Sequence, residues 1–420
     1  MAFDTSLPLP AATDVVRIWL ARVPGSTYTE GMTTYSAVVT TGIYCRPGCR
    51  ARPRAENVRT FELAASAEAA GFRACLRCRP YRTAGPLGAD APELVCRAVQ
   101  LIIEGVLDTG TETALGARLA VSPRHLRRIF NDHLGITPGQ LAMSRRAHFA
   151  RRLLDDTDLA VGDVAFASGY TSLRQFNRQM REVFRAAPSE LRTRRRRADR
   201  LAADGGLTMR LPFQPPFDWD ATAAFFASRA VPGVESVSGG VYRRTISLDG
   251  APGVLEIHPG GEDHLLLRAH LPYWEGLIHV AGRAARMAGT GARPDVRAPG
   301  AWGPFEAAVQ AVVIQECDDP GQARAQLGWI AERFGPPVPG LTHGLERLFP
   351  SAAVLAAGDL AGLGLPPGTA RTLTLLAAGV ATGQIALGHG ASHADLISSL
   401  TAVAGIQPAT ADQIALRLGH

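Results

Sequence analysis

Cys45-Arg46-Pro47-Gly48-Cys49 and Cys75-Leu76-Arg77-Cys78, with 25 residues between the two pairs, decide how the first part of this chain folds. Two closely spaced thiol pairs separated by a loop supply the four ligands of a tetrahedral Zn2+ site, each pair spanning one edge. Arg46, Arg50, Arg52 and Arg54 flank the first pair, and Arg73, Arg77 and Arg79 flank the second. Four zinc-bound thiolates leave a formal charge of −2, which repels phosphate unless cations surround it. A purely structural zinc ribbon is the alternative reading of the spacing, but such a site has no use for that much arginine. A site that meets a polyanion does.

The rest of the composition agrees. All 44 basic residues are arginine, and lysine is absent. Residues 1–200 hold 30 arginines against 19 acidic residues, a net of +11, whereas 201–420 hold 14 against 19, a net of −5. The signal for an anionic partner therefore belongs to the first half. A chain of 420 residues has room for about three domains. No basic segment with an apolar core opens it, and no charge-free run of about 18 apolar residues occurs. The expectation is a cytoplasmic bacterial protein with reduced thiols, nucleoid-associated when bound to DNA and without membrane contact. Cys96, beside Leu94 and Val95, reads as a core residue.

Thr40–Cys49, Arg52, Glu56-Asn57-Val58-Arg59 and Gly71–Pro80 together resemble the metal-binding domain of the Ada family. The resemblance implies that Cys45 accepts a methyl group from DNA methylphosphotriesters, with Cys49, Cys75 and Cys78 as the other zinc ligands. A metal-held thiolate is a soft nucleophile suited to that transfer. Losing one unit of charge by methylation then lowers repulsion toward DNA, where two charges 4 Å apart near a protein surface interact by about 4 kcal/mol. Arg46, Arg50, Arg73 and Arg77 are the candidate phosphate contacts. Upstream, Glu30-Gly31-Met32-Thr33-Thr34 replaces the Asp-Gly-x-Phe usual in that family.

Residues 92–192 read as about seven short helices with two helix–turn–helix patterns. In the first, Ala114–Ala120 leads to Ser122 as N-cap and Pro123 at the first helical position. In the second, Val164–Ser168 leads through Gly169-Tyr170 to Thr171 and Ser172. Leu126, Ile129 and Phe130, and Leu173, Phe176 and Met180, are expected to pack inward. Arg124, His125, Arg127 and Arg128, and Arg174, Gln175, Asn177 and Arg178, are left outward as candidate DNA contacts. Ala165–Tyr170, Phe176, Phe184 and Pro188-Ser189 resemble the AraC-type DNA-binding domain, with the long helix placed at Pro138–Asp155 and Arg185 where a C-cap glycine is usual. Arg194–Arg197 reads as a flexible linker that contacts phosphate or merely solubilises.

Further on, an amphipathic helix over Trp219–Val231 and alternating strands over Val241–Leu248, Gly253–His258 and His264–Leu271 precede a helical stretch from Trp302. Gln214–Trp219, Phe225–Glu235 and Arg297–Val309 resemble AlkA, a helix–hairpin–helix glycosylase that excises alkylated bases. Three departures weaken that activity. Ile314-Gln315-Glu316 puts an acid in the wedge, and Gly405-Ile406-Gln407-Pro408-Ala409 lacks a hairpin glycine and an aromatic. The catalytic aspartate of that family would fall beyond His420, and without lysine amine-type lyase chemistry has no nucleophile. Gln315, Gly405 and Gln407 thus read as remnants of a glycosylase site, and Asp412 as a surface residue.

These readings give a multidomain α+β protein. A small zinc domain (12–85) is followed by an all-α double helix–turn–helix domain (90–193) and an arginine-rich linker (194–207). A small antiparallel α+β domain (208–290) and an all-α helix–hairpin–helix glycosylase-like domain (291–420) complete it. The expected cofactor is Zn2+. The expected partners are double-stranded DNA, through a promoter operator and its methylated backbone, and RNA polymerase. The expected function is a methylation-responsive activator of the alkylation response, with base excision absent or weak; the alternative is a bifunctional regulator and 3-methyladenine glycosylase.

Overall fold

Tyr35-Ser36-Ala37-Val38 alternates buried and half-buried side chains and forms β1 (Tyr35–Val38) of a four-stranded sheet. The sheet order is β3-β1-β2-β4, with β2 (Ile43–Cys45), β3 (Val58–Phe61) and β4 (Arg73–Ala74). β1 runs antiparallel to β2 and β3, while β2 and β4 are parallel. Helix α1 (Ala64–Ala69) packs beside it, and Tyr44, Ala67, Phe72 and Ala74 are buried between them. The computed structural model describes residues 34–51, 53–83, 91–202, 205–290, 299–317 and 319–418. Glu30–Thr33, the start of the zinc segment, Arg52 and Arg297-Ala298 lie outside the described residues.

Eight helices follow among the described residues, close to the seven or so expected: α2 (Glu93–Ile103), α3 (Val106–Thr109), α4 (Glu112–Arg118), α5 (Pro123–Leu134), α6 (Pro138–Asp156), α7 (Val161–Ala167), α8 (Leu173–Phe184) and α9 (Pro188–Thr193). Their starts are set by side-chain caps. Ser122 Oγ accepts from His125 N at 3.2 Å, Ser172 Oγ accepts from Gln175 N at 3.2 Å, and Thr137 with Gln140 makes a reciprocal pair at the head of α6. Gly135 ends α5 in the left-handed region; Arg185 ends α8 there too, at φ 55°, and donates through Nη2 to the Gly71 carbonyl at 3.3 Å. Leu126, Phe130, Phe176 and Met180 are buried as expected. Leu173 is not: it is 46% exposed, because at the first helical position its side chain projects beyond the core stripe.

The zinc segment, the helical body and the second half meet at the C-terminal end of α6. Asp155 and Asp156 are buried there at 0% and 1% exposure. Arg82 Nη2 reaches Asp155 at 3.0 Å and Asp156 at 3.5 Å, Arg151 reaches Asp155 at 2.9 Å, and Arg210 binds Asp156 through its backbone N–H and its guanidinium. Arg79 and Arg82 also hold Asp199, at 2.7 and 3.3 Å. The linker is accordingly tied down rather than flexible. Arg195 donates to the Thr157 carbonyl at 2.8 Å and pairs with Asp158, as does Arg200, leaving Arg194, Arg196 and Arg197 exposed.

The second half opens on an antiparallel sheet ordered β5-β9-β8-β7-β6. Its strands are β5 (Leu207–Pro212), β6 (Glu235–Ser238), β7 (Val241–Leu248), β8 (Ala251–Pro259) and β9 (His264–His270), so β5 and β6 add to the three read from alternation. Helices α10 (Trp219–Arg229) and α11 (Leu277–Met287) accompany the sheet; α10 stops two residues before Val231. Helices α12 (Pro304–Gln315), α13 (Pro320–Phe334), α14 (Ala352–Ala357), α15 (Pro367–Ala381), α16 (His393–Ala404) and α17 (Pro408–Leu418) follow. The sheet is fastened to α12 by Arg244, buried and forked onto Glu306 at 3.1 and 2.8 Å.

This half docks on the helical body through two histidines. His279 Nε2 lies 2.7 Å from Asp108, and His389 Nδ1 lies 2.9 Å from Glu104. Gly169 faces the same Asp108: a Cβ there would fall 2.5 Å from Oδ2, and its φ of +79° already favours glycine. Removing one partner of a buried ion pair leaves an uncompensated charge. Arg82→Met leaves Asp155 with Arg151, Asp156 with Arg210 and Asp199 with Arg79, so it should cost about 1–3 kcal/mol, read as an earlier first transition in urea on the zinc-loaded chain. Arg54→Met, at an exposed pair with Glu56, should shift it by under about 0.5 kcal/mol.

Candidate metal centre and nucleic-acid interface

Cys45 closes β2, and its neighbour Tyr44 accepts from Cys75 N at 2.9 Å, which sets Cys75 directly after β4. A turn with Gly48 at φ 74° and Cys49 N on the Arg46 carbonyl at 3.3 Å brings Cys49 back. A second turn, with Arg79 N on the Cys75 carbonyl at 2.9 Å, returns Cys78. The four Sγ atoms lie within 4.8 Å of one another. A tetrahedron with Zn–S bonds of about 2.3 Å has edges of about 3.8 Å, so they close on an ion with little movement.

The thiols themselves call for a cation. Burial, with the charges of Cys78 and Cys75, pushes the Cys45 thiol far up. Burial likewise pushes Cys78 up to about 12. At Cys75 burial acts the same way but is outweighed by the N–H groups of Cys78 and Arg77, which hold it below its ordinary value. Only a divalent ion makes several thiolates tolerable in so small a space. When bound, Zn2+ would be held by Cys45, Cys49, Cys75 and Cys78 and would keep their sulfurs deprotonated.

The arginines around the cluster divide. Arg50 and Arg77 are exposed, and Arg73 is half-buried against the Ala74 carbonyl. Arg46 lies 4.0 Å from Asp263 of the second half, a half-exposed pair of little strength. Arg79, grouped with them by sequence, is turned inward onto Asp155 and Asp199 and is 8% exposed. Sequence reasoning missed Glu68 and His148. Tyr44 donates to Glu68 Oε1 at 2.6 Å, and His148 Nε2 of α6 lies 2.5 Å from the same oxygen. The residue beside Cys45 is thus tied to the long helix by one carboxylate, across separations that no motif encodes.

Helices α5 and α8 present the expected polar rows. Arg124, Arg128, Arg174 and Arg178 are exposed, and among the described residues Arg124, Arg174 and Arg178 make no ion pair. Arg127 is engaged by Glu112 of α4, and Arg128 lies 3.2 Å from His125 Nδ1. Asn177 donates to the Leu173 carbonyl at 2.8 Å, and Gln175 lies 3.5 Å from Thr171 Oγ1. Far along the chain, Gln315 is exposed at the end of α12. Gly405, at φ 64°, turns α16 into α17 with Gln407 exposed just before Pro408. Asp412 is exposed, 3.8 Å from His393 Nε2.

Three family profiles match the chain: the metal binding domain of Ada over residues 26–81, a helix-turn-helix domain over 115–194 and the AlkA N-terminal domain over 208–301. The probable bifunctional transcriptional activator/DNA repair enzyme AlkA of Mycobacterium tuberculosis is 36% identical over 406 residues, covering 91% of this chain and 82% of that one. The chain belongs to this AlkA family. Its fused architecture is shared in part with the bifunctional transcriptional activator/DNA repair enzyme Ada of Escherichia coli, 40% identical over 120 residues that cover 28% of this chain and 32% of Ada. DNA-3-methyladenine glycosylase 2 of Escherichia coli is 29% identical over 237 residues, covering 49% of this chain and 79% of the glycosylase. The multidomain α+β fold, the zinc cofactor and the DNA-binding helix–turn–helix units stand on these matches and on the cysteine geometry. No helix among the described residues is long and apolar enough to cross a membrane.

Zinc removal gives a direct check. In the zinc-loaded AlkA-family chain, Cys45, Cys49, Cys75 and Cys78 should resist iodoacetamide and react once a chelator is added, as followed by peptide mass spectrometry. Protection that persists after chelation would mean that the cluster needs no metal.

Proposed function

We propose that the protein is a methylation-responsive transcriptional regulator of the alkylation response, with Cys45 as a stoichiometric methyl acceptor. The observation that carries this reading is the four-cysteine cluster flanked by exposed Arg50 and Arg77 and attached to two helix–turn–helix units. Arg46, Arg50, Arg73 and Arg77 bring the DNA backbone to the cluster. The Cys45 sulfur attacks the methyl carbon of a methylphosphotriester; the S–C bond forms as the C–O bond breaks, and the phosphodiester leaves as an anion. Arg124, His125, Arg127 and Arg128, with Arg174, Gln175, Asn177 and Arg178, contact the operator in the cytoplasm. Activation proceeds by recruiting RNA polymerase.

Methylation removes one negative charge at a face lined with arginine, so it raises DNA affinity without requiring a new fold. Incubation with methylphosphotriester DNA should add one methyl mass to the Cys45 peptide. It should also tighten operator binding by about tenfold or more at fixed salt. Cys45→Ser should gain neither. Equal affinity of the methylated and unmethylated protein would refute the switch.

A second reading, base excision by the C-terminal half, is favoured by its 29% identity to the Escherichia coli glycosylase and by the α16–α17 hairpin. Gln407 puts a side chain where the hairpin amide approaches phosphate, and Glu316 puts a carboxylate beside exposed Gln315, so we propose that excision is weak or absent. Release of abasic sites from methylated DNA should stay near background. Excision well above background would restore the bifunctional reading.

A further inference from the structure

A cavity of about 90 Å³ lies where the three parts of the chain meet. Arg82 of the zinc segment, Arg152 and Asp156 of α6, Arg210 of β5, and Asp263 and His264 at the head of β9 line it. Three guanidinium groups and an imidazole thus face two carboxylates. Both carboxylates are already taken. Asp156 is shared by Arg82 and Arg210, and Asp263 lies 2.7 Å from His264 Nδ1 and 4.0 Å from Arg46.

Arg152 is left over. Its Nε is buried without a hydrogen-bond partner, and among the described residues its guanidinium makes no direct ion pair, although the charge of Asp156 acts on it. Its Cζ sits 5.3 Å from the centre of the Phe149 ring, a contact that satisfies none of its N–H donors. Its terminal nitrogens are not among the buried unpartnered atoms and stay open, and a guanidinium offers there a fork that matches a tetrahedral oxyanion. Burial pushes its pKa down to about 10, still far above neutrality, so the group stays charged. The volume holds several waters and admits one phosphate-sized anion.

We propose that this cavity is a binding site for a small phosphate-type oxyanion, held by Arg152 with Arg210 and His264 from the facing wall. None of the four cysteines lines this cavity. Since its walls come from three segments, an occupant joins them and stabilises their docked arrangement by mass action.

The test uses full-length, zinc-loaded protein and inorganic phosphate, with ionic strength held constant by sodium chloride. Phosphate should raise the thermal midpoint saturably and give a binding isotherm by calorimetry. Arg152→Gln should weaken binding about tenfold or more. Arg152→Lys, which keeps the charge but loses the fork, should fall between, and His264→Gln should weaken it severalfold. Zinc content and circular dichroism check that each variant is folded, and the lysine and histidine variants carry the test if Arg152→Gln is not. Arg124→Gln and Arg174→Gln on the recognition helices should bind phosphate like the parent. The proposal is overturned if chloride reproduces the stabilisation, if the Arg152 and His264 variants bind like the parent, or if the recognition-helix variants are the ones that lose it, placing the anion on the DNA-reading face.

Discussion

Two adjacent carboxylates at the wrong end of a helix hold this protein together. Asp155 and Asp156 finish α6, where the helix dipole disfavours negative charge, and both are out of contact with water. They are tolerable only because guanidinium groups converge on them from the zinc segment, from α6 itself and from the second sheet. The same requirement places the zinc segment against the long helix and anchors β5, and through Asp199 it pulls in the linker. The parts of the chain are thus arranged by a shared electrostatic demand as well as by apolar burial.

An all-arginine composition suits that construction. A guanidinium is weakly hydrated, stays charged when buried and satisfies two acceptors at once, as Arg244 does with Glu306 and Glu235. A lysine ammonium would lose more on leaving water and could not fork. The abundance of arginine therefore has two causes in one sequence. Some residues, such as Arg50 and Arg77, remain at the surface, and others, such as Arg79, Arg82 and Arg244, are internal fasteners.

That duality marks how far the sequence could be read. The cysteine cluster was legible because ligand spacing is local, and the helix–turn–helix units because Ser122, Pro123 and Ser172 write their caps within a few residues. Arg79 was not, because its partners lie more than seventy positions away in Asp155 and Asp199 and nothing beside it distinguishes inward from outward. Glu68 and His148 were invisible for the same reason. β5 and β6 escaped notice because β5 is buried on both faces over Leu207–Met209 and β6 spans four residues, so neither shows clean alternation. Leu173 followed the helical period but sat one turn too early to reach the core.

The contacts of His279 with Asp108 and of His389 with Glu104 bear on any attempt to dissect the molecule. Cutting away the second half would strip both acids of their histidines and uncover the carbonyls at the end of α2. Asp108 would keep Arg146 of α6, 3.1 Å away, whereas Glu104 would lose the contact that His389 supplies. Removing residues 201–420 would also remove a net charge of −5, so a fragment's grip on a polyanion would overstate that of the intact chain and is no proxy for the whole.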